Sequence, residues 1–447
     1  MSQSRFQNRQ KLLIIPIFVP HAGCPHDCCF CNQKLISGSI REPGAAEIEK
    51  TIGSFAEAAK RYDRVEIAFY GGSFTAIEGG RQDFYLEAAS KYLKRNGGFA
   101  DSLRASTRPD RIDGEVIRRL KKYGLDVVEL GAQSMDDNVL RLSGRGHRAS
   151  DTERAAAMLK ENGFVLGLQT MQGLPGADRE SDVETAVRIA GLRPDFVRIY
   201  PTVVVKQTKL YEDYIRGDYT PLSVEDAVAL VSRLCGIYRS SGIPVARIGL
   251  QSTDTISREG AGTEIAAGPY HEAFGQLVTS YDVRRAVKSA VDHIREDYIN
   301  MNERRKLCVK RLYVVVPPER VSDATGQRRS NAETMARECG AERVTVLSKD
   351  SFDADFRRLP GQATEASAYA EAAAVKVLRC GRGAPAENKP EAPEKFGALE
   401  ALEPFEAPEK SGALEAPKPF EAHKTRETPE TPGEMLPVAV SVRMRFN

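Results

Sequence analysis

The chain has no long apolar run. Its 447 residues are 41% hydrophobic, but no stretch approaches the roughly 20 consecutive apolar residues that cross a bilayer. The apolar segment 12–20 near the N-terminus is short and contains Pro16 and Pro20, which argues against a lipoprotein signal that ends at Cys24. We therefore expect a cytoplasmic protein without a membrane anchor.

A dominant charge of one sign is missing as well. The 64 Lys and Arg residues nearly balance the 62 Asp and Glu residues, and the formal net charge is +2. The total charge therefore gives no argument for nucleic-acid binding.

Residues 381–434 differ in composition from the rest of the chain. They hold nine of the 24 prolines, twelve Glu, no Asp and seven Lys or Arg, for a net charge of −5. An imperfect repeat reads EAPEKFGALEA at 391–401 and EAPEKSGALEA at 406–416. Such a segment buries too little apolar surface to offset its chain entropy, so we expect it to be disordered. The remaining residues then carry a mildly basic net charge of +7.

The eight cysteines are not spaced as a disulfide framework. Four of them fall within residues 24–31, and the others are scattered singly at 235, 308, 339 and 380. A secreted framework would distribute paired cysteines through a short chain. The pattern therefore indicates a reducing compartment and a metal site.

The cysteine cluster contains the spacing C-x3-C-x2-C. Because Cys24, Cys28 and Cys31 supply three thiolates for a four-iron cubane, one iron stays open for a small molecule. A structural zinc site would need a fourth ligand, and His26 and Cys29 lie very close in sequence for that role. A redox pair at Cys28 and Cys31 would leave Cys24 without a function. We favour a [4Fe–4S] cluster and interpret Cys29 as a packing residue.

Short β-rich runs alternate with helical patterns from residue 11 to about 250. This alternation predicts an α/β sheet of parallel strands joined by right-handed crossovers. Loops with functional residues then gather at one face, as in barrel enzymes. Strands are predicted at 12–19, 65–70, 103–107, 127–130, 164–170, 196–200 and 245–250. Helices are predicted at 45–61, 81–95, 113–123, 152–162, 182–192 and 223–240.

We divide the chain into five parts. The α/β unit covers 1–255, and a helical extension that closes the barrel covers 256–300, with a helix at 272–294. A small α+β domain covers 301–380, with strands at 307–316 and 343–347 and a helix at 331–339. The disordered Pro/Glu-rich linker covers 381–434. Residues 435–447 are again β-like, and we expect them to return as a strand of the small domain.

Seven short motifs follow one another over more than half of the chain. They are HAGCPHDCCFC (21–31), YGGSFT (70–75), STRPD (106–110), ELGAQS (129–134), RGH (145–147), GLPG (173–176) and RIYPT (198–202). The first motif resembles the signature of the radical S-adenosylmethionine (SAM) superfamily. More narrowly, residues 12–280 resemble the radical domain of the Elongator catalytic subunit and its bacterial relatives.

The resemblance implies an open (β/α)6 barrel, a partial TIM barrel, that holds a [4Fe–4S] cluster and SAM. Cys24, Cys28 and Cys31 would ligate the cluster and drive cleavage of SAM to a 5′-deoxyadenosyl radical. Ser73 stands where many superfamily members have Glu. The positions that match the family's cofactor contacts are Phe30, Asn32, Gly71, Gly72, Ser73, Ser106, Thr107, Arg108, Gln133 and Arg145. The positions assigned to the substrate side are His147, Tyr200, Lys206 and His271.

For the substrate we favour RNA, specifically a tRNA base. Besides the resemblance, basic residues cluster in the small domain, although solvated surface charge explains them equally well. The Elongator subunit carries an acetyltransferase domain after its radical domain, and residues 300–380 are too few for one, so its reaction does not transfer with the fold. The basic residues are Arg304, Arg305, Lys306, Lys310, Arg311, Arg328 and Arg329.

Two other functions stay open at this point. Radical chemistry on a small molecule, as in coproporphyrinogen oxidase, uses related barrels. A non-enzymatic iron–sulfur protein is the other alternative, although a carrier would prefer four protein ligands. As partners we expect a flavodoxin- or ferredoxin-type electron donor and tRNA, and no membrane.

Overall fold

The structure is a computed structural model, described for residues 11–19, 28–32, 42–250, 264–301, 309–348, 363–370, 373–380 and 439–445. Cys24, the basic cluster 304–306 and the predicted disordered segment 381–434 lie outside the described residues. No helix in the described ranges is long and apolar enough to cross a membrane.

A seven-stranded parallel sheet forms the centre of the larger unit. Its strands follow one another in the sheet as they do in the chain, and every neighbouring pair is parallel. The predicted open partial barrel is thereby confirmed, with a short last strand that extends it. The strands are β1 (Leu12–Phe18), β2 (Arg64–Tyr70), β3 (Ser102–Thr107), β4 (Leu125–Gln133), β5 (Val165–Gln172), β6 (Phe196–Pro201) and, after the two-residue β7 (Val204–Val205), β8 (Val245–Ile248).

The sheet is strongly curled. Nη2 of Arg198 on β6 lies 3.3 Å from the hydroxyl oxygen of Tyr70 on β2. These strands are four positions apart in the sheet, a separation of roughly 19 Å if the sheet were flat. The phenyl ring of Phe196 occupies the space beside Gly167, where a Cβ would come within 2.3 Å of the ring. Side chains from distant strands therefore meet inside a barrel.

Helices connect the strands and cover the outside of the sheet. A representative one begins after Asp113, whose carboxylate accepts the N–H of Val116 at 2.9 Å, and ends at Gly124 in the left-handed conformation. The helices are α1 (Ala45–Ser54), α2 (Ala56–Ala59), α3 (Gly79–Ser90), α4 (Gly114–Tyr123), α5 (Asp137–Leu142), α6 (Ala149–Glu161), α7 (Arg179–Gly191), α8 (Lys209–Arg216) and α9 (Val224–Ser240).

One long helix, α10 (Phe274–Met301), joins this unit to a second one. Its first turns place Phe274 and Val278 in the core of the barrel. Its later turns place Val287 and Val291 in a separate core. The two units therefore share one continuous helix, which contributes buried side chains to both cores. The short strand β9 (Ile265–Ala267) lies in the connection that precedes α10 and pairs with β7.

The second unit is a mixed five-stranded sheet that contacts α10 and two further helices. In the sheet the order is β11, β10, β14, β13, β12. Its helices are α11 (Val321–Thr325) and α12 (Ser330–Glu338), and its strands are β10 (Val309–Val316), β11 (Ala341–Ser348), β12 (Ala363–Ala370), β13 (Ala373–Cys380) and β14 (Ala439–Arg445). The β-like C-terminal segment thus pairs between β10 and β13.

Some element boundaries differ from the predicted ones. The predicted helix 45–61 is interrupted after Ser54, next to Gly53, a residue that weakens helices because it loses the most backbone entropy. The predicted helix 81–95 ends at Ser90. Strands β12 and β13 had no counterpart among the predicted elements, because their many alanines give no period-two pattern.

Candidate functional site

The described part of the cysteine loop is a single turn. The N–H of Cys31 donates to the carbonyl of Cys28 at 3.0 Å, which closes a turn between two of the predicted ligands. Cys28 and Cys31 are half-buried, and Cys24 lies outside the described residues. In these ranges no group of three His, Cys, Asp or Glu side chains could hold a metal ion.

Cys29 anchors the turn. Its N–H donates to the carbonyl of Ser143 at 3.0 Å, and its carbonyl accepts the N–H of Leu210 at 2.8 Å. Its side chain packs with Val204 and Leu210 in an apolar cluster. Burial, with a smaller contribution from the Cys28 charge, raises the pKa of the Cys29 thiol to about 12. Cys29 is therefore a neutral packing residue in this structure.

Arg145 connects the cysteine loop to the end of β4. Its Nη1 donates to Sγ of Cys28 at 3.3 Å, and its Nη2 donates to the carbonyl of Gly131 at 2.6 Å. The residue is 7% exposed, and its Nε has no hydrogen-bond partner. A buried cation with an unused donor is suited to an anionic ligand, because guanidinium groups bind carboxylates through two N–H groups.

Gln133 lies at the same strand end in a strained conformation. Its φ is 66°, which is uncommon for a residue other than glycine, and the pairing of β4 with β5 shifts register between Gly131 and Gln133. A side chain on Gly131 would approach Gln133 Nε2 to 2.8 Å and Arg145 Nη2 to 3.3 Å. The glycine therefore leaves room for both neighbours. Such strain is concentrated at functional sites.

The end of β3 is held by a buried hydroxyl pair. Oγ1 of Thr75 lies 2.6 Å from Oγ1 of Thr107 and donates to the carbonyl of Arg111, also at 2.6 Å. Next along the chain, Arg108 donates through Nη2 to the carbonyl of Arg145 at 2.5 Å and through Nε to Asp110 at 2.9 Å. These contacts fix the backbone around Arg145, and they leave Nη1 of Arg108 without a partner.

The glycine pair after β2 is also close to β1. Gly71 has φ 106°, and a Cβ there would lie 2.8 Å from the carbonyl oxygen of Val19. Only glycine fits this close approach of two backbones. Gly72, Tyr70 and the half-buried Ser106 line a narrow cavity beside this turn, while Ser73 is buried.

His147 is held neutral beside this group. Burial, followed by the charges of Arg145 and Arg108, lowers the pKa of His147 to about 4. One ring nitrogen, Nε2, lies 3.3 Å from the carbonyl of Ala132, and the other, Nδ1, has no partner. The imidazole is therefore uncharged at pH 7.

The orphaned polar atoms indicate what the site is built to bind. Buried polar atoms normally find a partner, and here several without one lie at or just after the carboxyl ends of β3 to β6. A ligand rich in hydrogen-bonding groups would satisfy them. The thiolates of Cys28 and Cys31 suit an iron–sulfur cluster, and the guanidinium of Arg145 suits an anionic ligand beside it. The residues thus fit a [4Fe–4S] cluster and SAM. The atoms are Arg108 Nη1, Gln133 Oε1, Arg145 Nε, His147 Nδ1, Gln172 Oε1 and Thr202 Oγ1.

A buried ionic network fills the barrel. Glu129 accepts from Arg104 at 2.7 Å and from the Tyr70 hydroxyl at 3.0 Å, and its other oxygen lies 2.9 Å from Nε of Arg198. Arg104 also pairs with Glu66, which is fully buried. Burial and then the Glu129 charge raise the pKa of Tyr70, so the phenol keeps its proton and donates. The network residues Glu66, Arg104 and Glu129 are each at most 3% exposed.

Four predicted residues have hydrogen bonds away from Arg145. Nδ2 of Asn32 donates to the carbonyl of Gln207 at 3.3 Å. The backbone N–H of Lys206 donates to Glu264 at 2.8 Å. Nδ1 of His271 accepts the N–H of Ala273 at 3.0 Å, just before α10. The side-chain hydrogen bonds of Arg145 in the described ranges go to Cys28 and Gly131. The Tyr200 hydroxyl accepts from Arg198 at 3.2 Å.

The sequence alone did not identify the residues of the ionic network, nor two polar residues at the ends of strands. Glu66, Arg104 and Glu129 lie inside predicted strands. Gln172 is the last residue of β5, and Thr202 follows β6. Strands of a parallel sheet are covered on both faces and are usually apolar throughout. Charged residues within such strands were the available signal.

Two family models match the chain. Residues 18–189 match the model "Radical SAM superfamily" and residues 194–282 match "Radical_SAM C-terminal domain". Together with the partial barrel and the cysteine turn, these matches define the class: the chain belongs to the radical SAM superfamily and is an enzyme.

Similar proteins indicate to which branch of the superfamily the chain is related. A protein named tRNA uridine(34) acetyltransferase from Methanocaldococcus infernus is 28% identical over 63% of this chain and 58% of its own length. An uncharacterised protein of Methanocaldococcus jannaschii is 31% identical over 50% of this chain and 71% of its own. Mouse Elongator complex protein 3 is 28% identical over 39% of this chain and 35% of its own.

The predicted resemblance is confirmed: this is an Elongator-like radical SAM protein. The chain spans less than two thirds of the acetyltransferase relative from Methanocaldococcus infernus. Membership of the family establishes the class of enzyme. It does not identify the substrate, because the relative contains a large part that this chain does not match.

Proposed function

We propose that this enzyme binds a [4Fe–4S] cluster on Cys24, Cys28 and Cys31 and uses SAM to modify a tRNA base. The observation that carries the proposal is the meeting of Cys28 with Arg145 at the end of β4, among buried polar atoms that lack partners. Relatives named for a tRNA uridine and for Elongator support RNA as the substrate.

When bound, the cluster and SAM supply an electron and a 5′-deoxyadenosyl radical that abstracts hydrogen from an unreactive C–H bond. The chain contributes the positions of the groups. Arg145 holds the anionic end of the cofactor beside the cysteine loop, and Gln133 offers its amide at the same strand end. Thr75 and Thr107 keep this backbone in place.

The other side of the barrel supports the substrate. Tyr70 and Tyr200 present hydroxyls that Arg198 holds at 3.3 Å and 3.2 Å. Because the Glu129 network beneath them is buried and joined by hydrogen bonds, these hydroxyls have little freedom to reorient. We propose that Tyr200, together with Lys206 and His271, contacts the substrate, and that the buried His147 does so from the side of Arg145.

The test is a comparison of tRNA nucleosides by mass spectrometry in strains with and without the gene. The deletion strain should lose one modified nucleoside, and wild-type protein should restore it. Cys28→Ala should fail to restore it, whereas Cys29→Ala serves as the control for a cysteine outside the ligand set. An unchanged tRNA profile would contradict the RNA substrate, and an altered small-metabolite pool in its place would favour oxidation of a small molecule.

A further inference from the structure

The second unit contains a compact β–α–α–β module. Strands β10 and β11 are parallel neighbours, and α11 and α12 connect them. Leu312 and Val314 of β10 pack with Ala332 and Met335 of α12 in one buried cluster. Strand β11 is the edge of the sheet. The module is thus a small folded body at one edge of the described sheet.

The link between its two helices is a short basic loop, Gly326-Gln327-Arg328-Arg329. Gly326 has φ 73°, and a Cβ there would lie 2.6 Å from Cβ of Asn331, so only glycine fits. Arg328 and Arg329 both adopt left-handed backbone angles, with φ of 49° and 66°. Both arginines are exposed.

The loop is held in this shape from behind. Nδ2 of the buried Asn331 donates to the carbonyls of Ser280, Asp323 and Ala324 at 3.2, 3.1 and 3.0 Å. These bonds tie the start of α12 to the end of α11 and to α10. A loop fixed in advance loses little entropy when a ligand binds.

The two arginines are not used by the fold. Within the described ranges neither takes part in an ion pair, whereas nearby Arg320 pairs with Asp323 at 3.0 Å. One carboxylate, that of Glu333, lies in the first turn of α12. Two adjacent exposed cations without a partner make a local anion-binding surface on a module of otherwise mixed charge.

Partly buried apolar side chains lie on the neighbouring elements α11 and β11. Val321 on α11 and Val346 on β11 pack against the module's core but stay partly exposed. Single-stranded RNA offers both matching chemistries, a phosphate backbone and unstacked bases. KH modules combine them in this way, with a Gly-x-x-Gly loop that clamps four backbone nucleotides. Here the loop has glycine at its first position and arginine at its fourth.

We infer that the loop Gly326–Arg329, with Val321 and Val346, is a docking site for single-stranded RNA. The phosphates lie at Arg328 and Arg329, and the bases lie against the valines. The inference rests on the proposed function, because it gives the tRNA substrate a second contact away from the barrel. Through α10, which is shared by both cores, the site is fixed to the catalytic unit.

The first experiment measures RNA affinity by fluorescence anisotropy with the full-length protein and a labelled 12-nucleotide single-stranded RNA. Arg328→Glu should weaken binding and flatten the plot of log affinity against log salt by about 0.7, the contribution of one phosphate contact on a single strand. The matched control is Arg337→Glu, an exposed arginine at the other end of α12, which should bind as wild type does.

The second variant separates binding from folding. Arg329→Gly removes a charge but suits the left-handed backbone, so it should raise the melting temperature while it weakens RNA binding. A loop with a purely structural role would give the higher melting temperature with unchanged affinity, and that would contradict the inference.

The outcomes also distinguish this site from the proposed function. If tRNA modification depends on the gene but Arg328→Glu and Arg329→Gly bind RNA normally, the docking site is refuted and the function stands. Loss of binding in Arg343→Glu alone would place the RNA on the other side of β11, again against the inference. If the wild-type protein binds neither the oligonucleotide nor tRNA, both proposals fail.

Discussion

Nη1 of Arg145 donates to Sγ of Cys28 at 3.3 Å, while Nη2 of the same guanidinium donates to the carbonyl of Gly131 at 2.6 Å. Cys28 and Gly131 are 117 and 14 residues away from Arg145 in the sequence. One buried cation therefore sets the position of the cysteine loop against the sheet.

This contact predicts an effect on the cluster's reduction potential. Hydrogen bonds to ligand sulfurs and nearby positive charge raise the potential of iron–sulfur clusters. Arg145→Gln should therefore shift the midpoint to a more negative value, as measured by a potentiometric titration followed by electron paramagnetic resonance. Arg141→Gln is the control, since Arg141 is exposed and bonds only to Asn138 in the described structure. Equal midpoints for the two variants would show that Arg145 does not act on the cluster.

The three cysteines of the turn should differ in iron binding. Cys28→Ala and Cys31→Ala should lose the cluster, with iron content after anaerobic reconstitution close to zero. Cys29→Ala should keep its iron, because Cys29 packs in an apolar cluster. It should lose only about 1–2 kcal/mol of unfolding free energy, the cost of a small buried cavity. Loss of iron in Cys29→Ala with an intact fold would make Cys29 a ligand.

The barrel network predicts a large loss of stability. Glu129→Gln removes the charge that faces Arg104 and Arg198, two buried cations, and we expect it to cost about 3–5 kcal/mol in chemical denaturation. The matched control is Glu115→Gln, which breaks an ion pair with Arg119 in which the carboxylate is 71% exposed. That variant should change stability by no more than about 0.5 kcal/mol. Similar losses in both variants would refute the network's role.

Asp182 predicts a dependence of stability on pH. Its carboxylate accepts the N–H of Gly173 at 2.9 Å at the GLPG turn, and burial raises its pKa to about 7, against a small lowering by that bond. The folded protein thus binds a proton that the unfolded chain has already released above pH 4. Stability from this group is complete below about pH 4 and is lost as the pH rises to 7.

Asp182→Asn keeps the bond to Gly173 without the titration. The difference in unfolding free energy between the variant and wild type should therefore grow between pH 4 and 7, by up to about 1.4 kcal/mol per pH unit. Parallel stability curves for the two proteins over that range would show that Asp182 does not titrate there.

The order of strands could be predicted because each is a short apolar run between helical patterns, and parallel strands follow from that alternation. The positions of Cys28, Arg145 and Gln133 followed from the motifs. Their contacts did not, because no local pattern reports which side chains meet when β4 and a loop more than a hundred residues away converge.

The ionic network shows the same limit. Glu66, Arg104 and Glu129 each fall within a predicted strand, but only the curl of the sheet makes them neighbours. In the second unit, α11 and the left-handed arginines had no signal beyond a basic pair at Arg328 and Arg329. There the backbone conformation depends on Asn331 and on the close approach at Gly326.

The proposed chemistry is tested most simply by measuring the formation of 5′-deoxyadenosine by the reconstituted protein. Wild-type protein with a full iron complement is reduced with dithionite under anaerobic conditions, mixed with SAM and analysed by mass spectrometry. We predict 5′-deoxyadenosine from wild-type protein and from Arg337→Glu, and none from Cys28→Ala. Cluster-loaded, reduced wild-type protein that never cleaves SAM would show that the protein is not a SAM-cleaving enzyme.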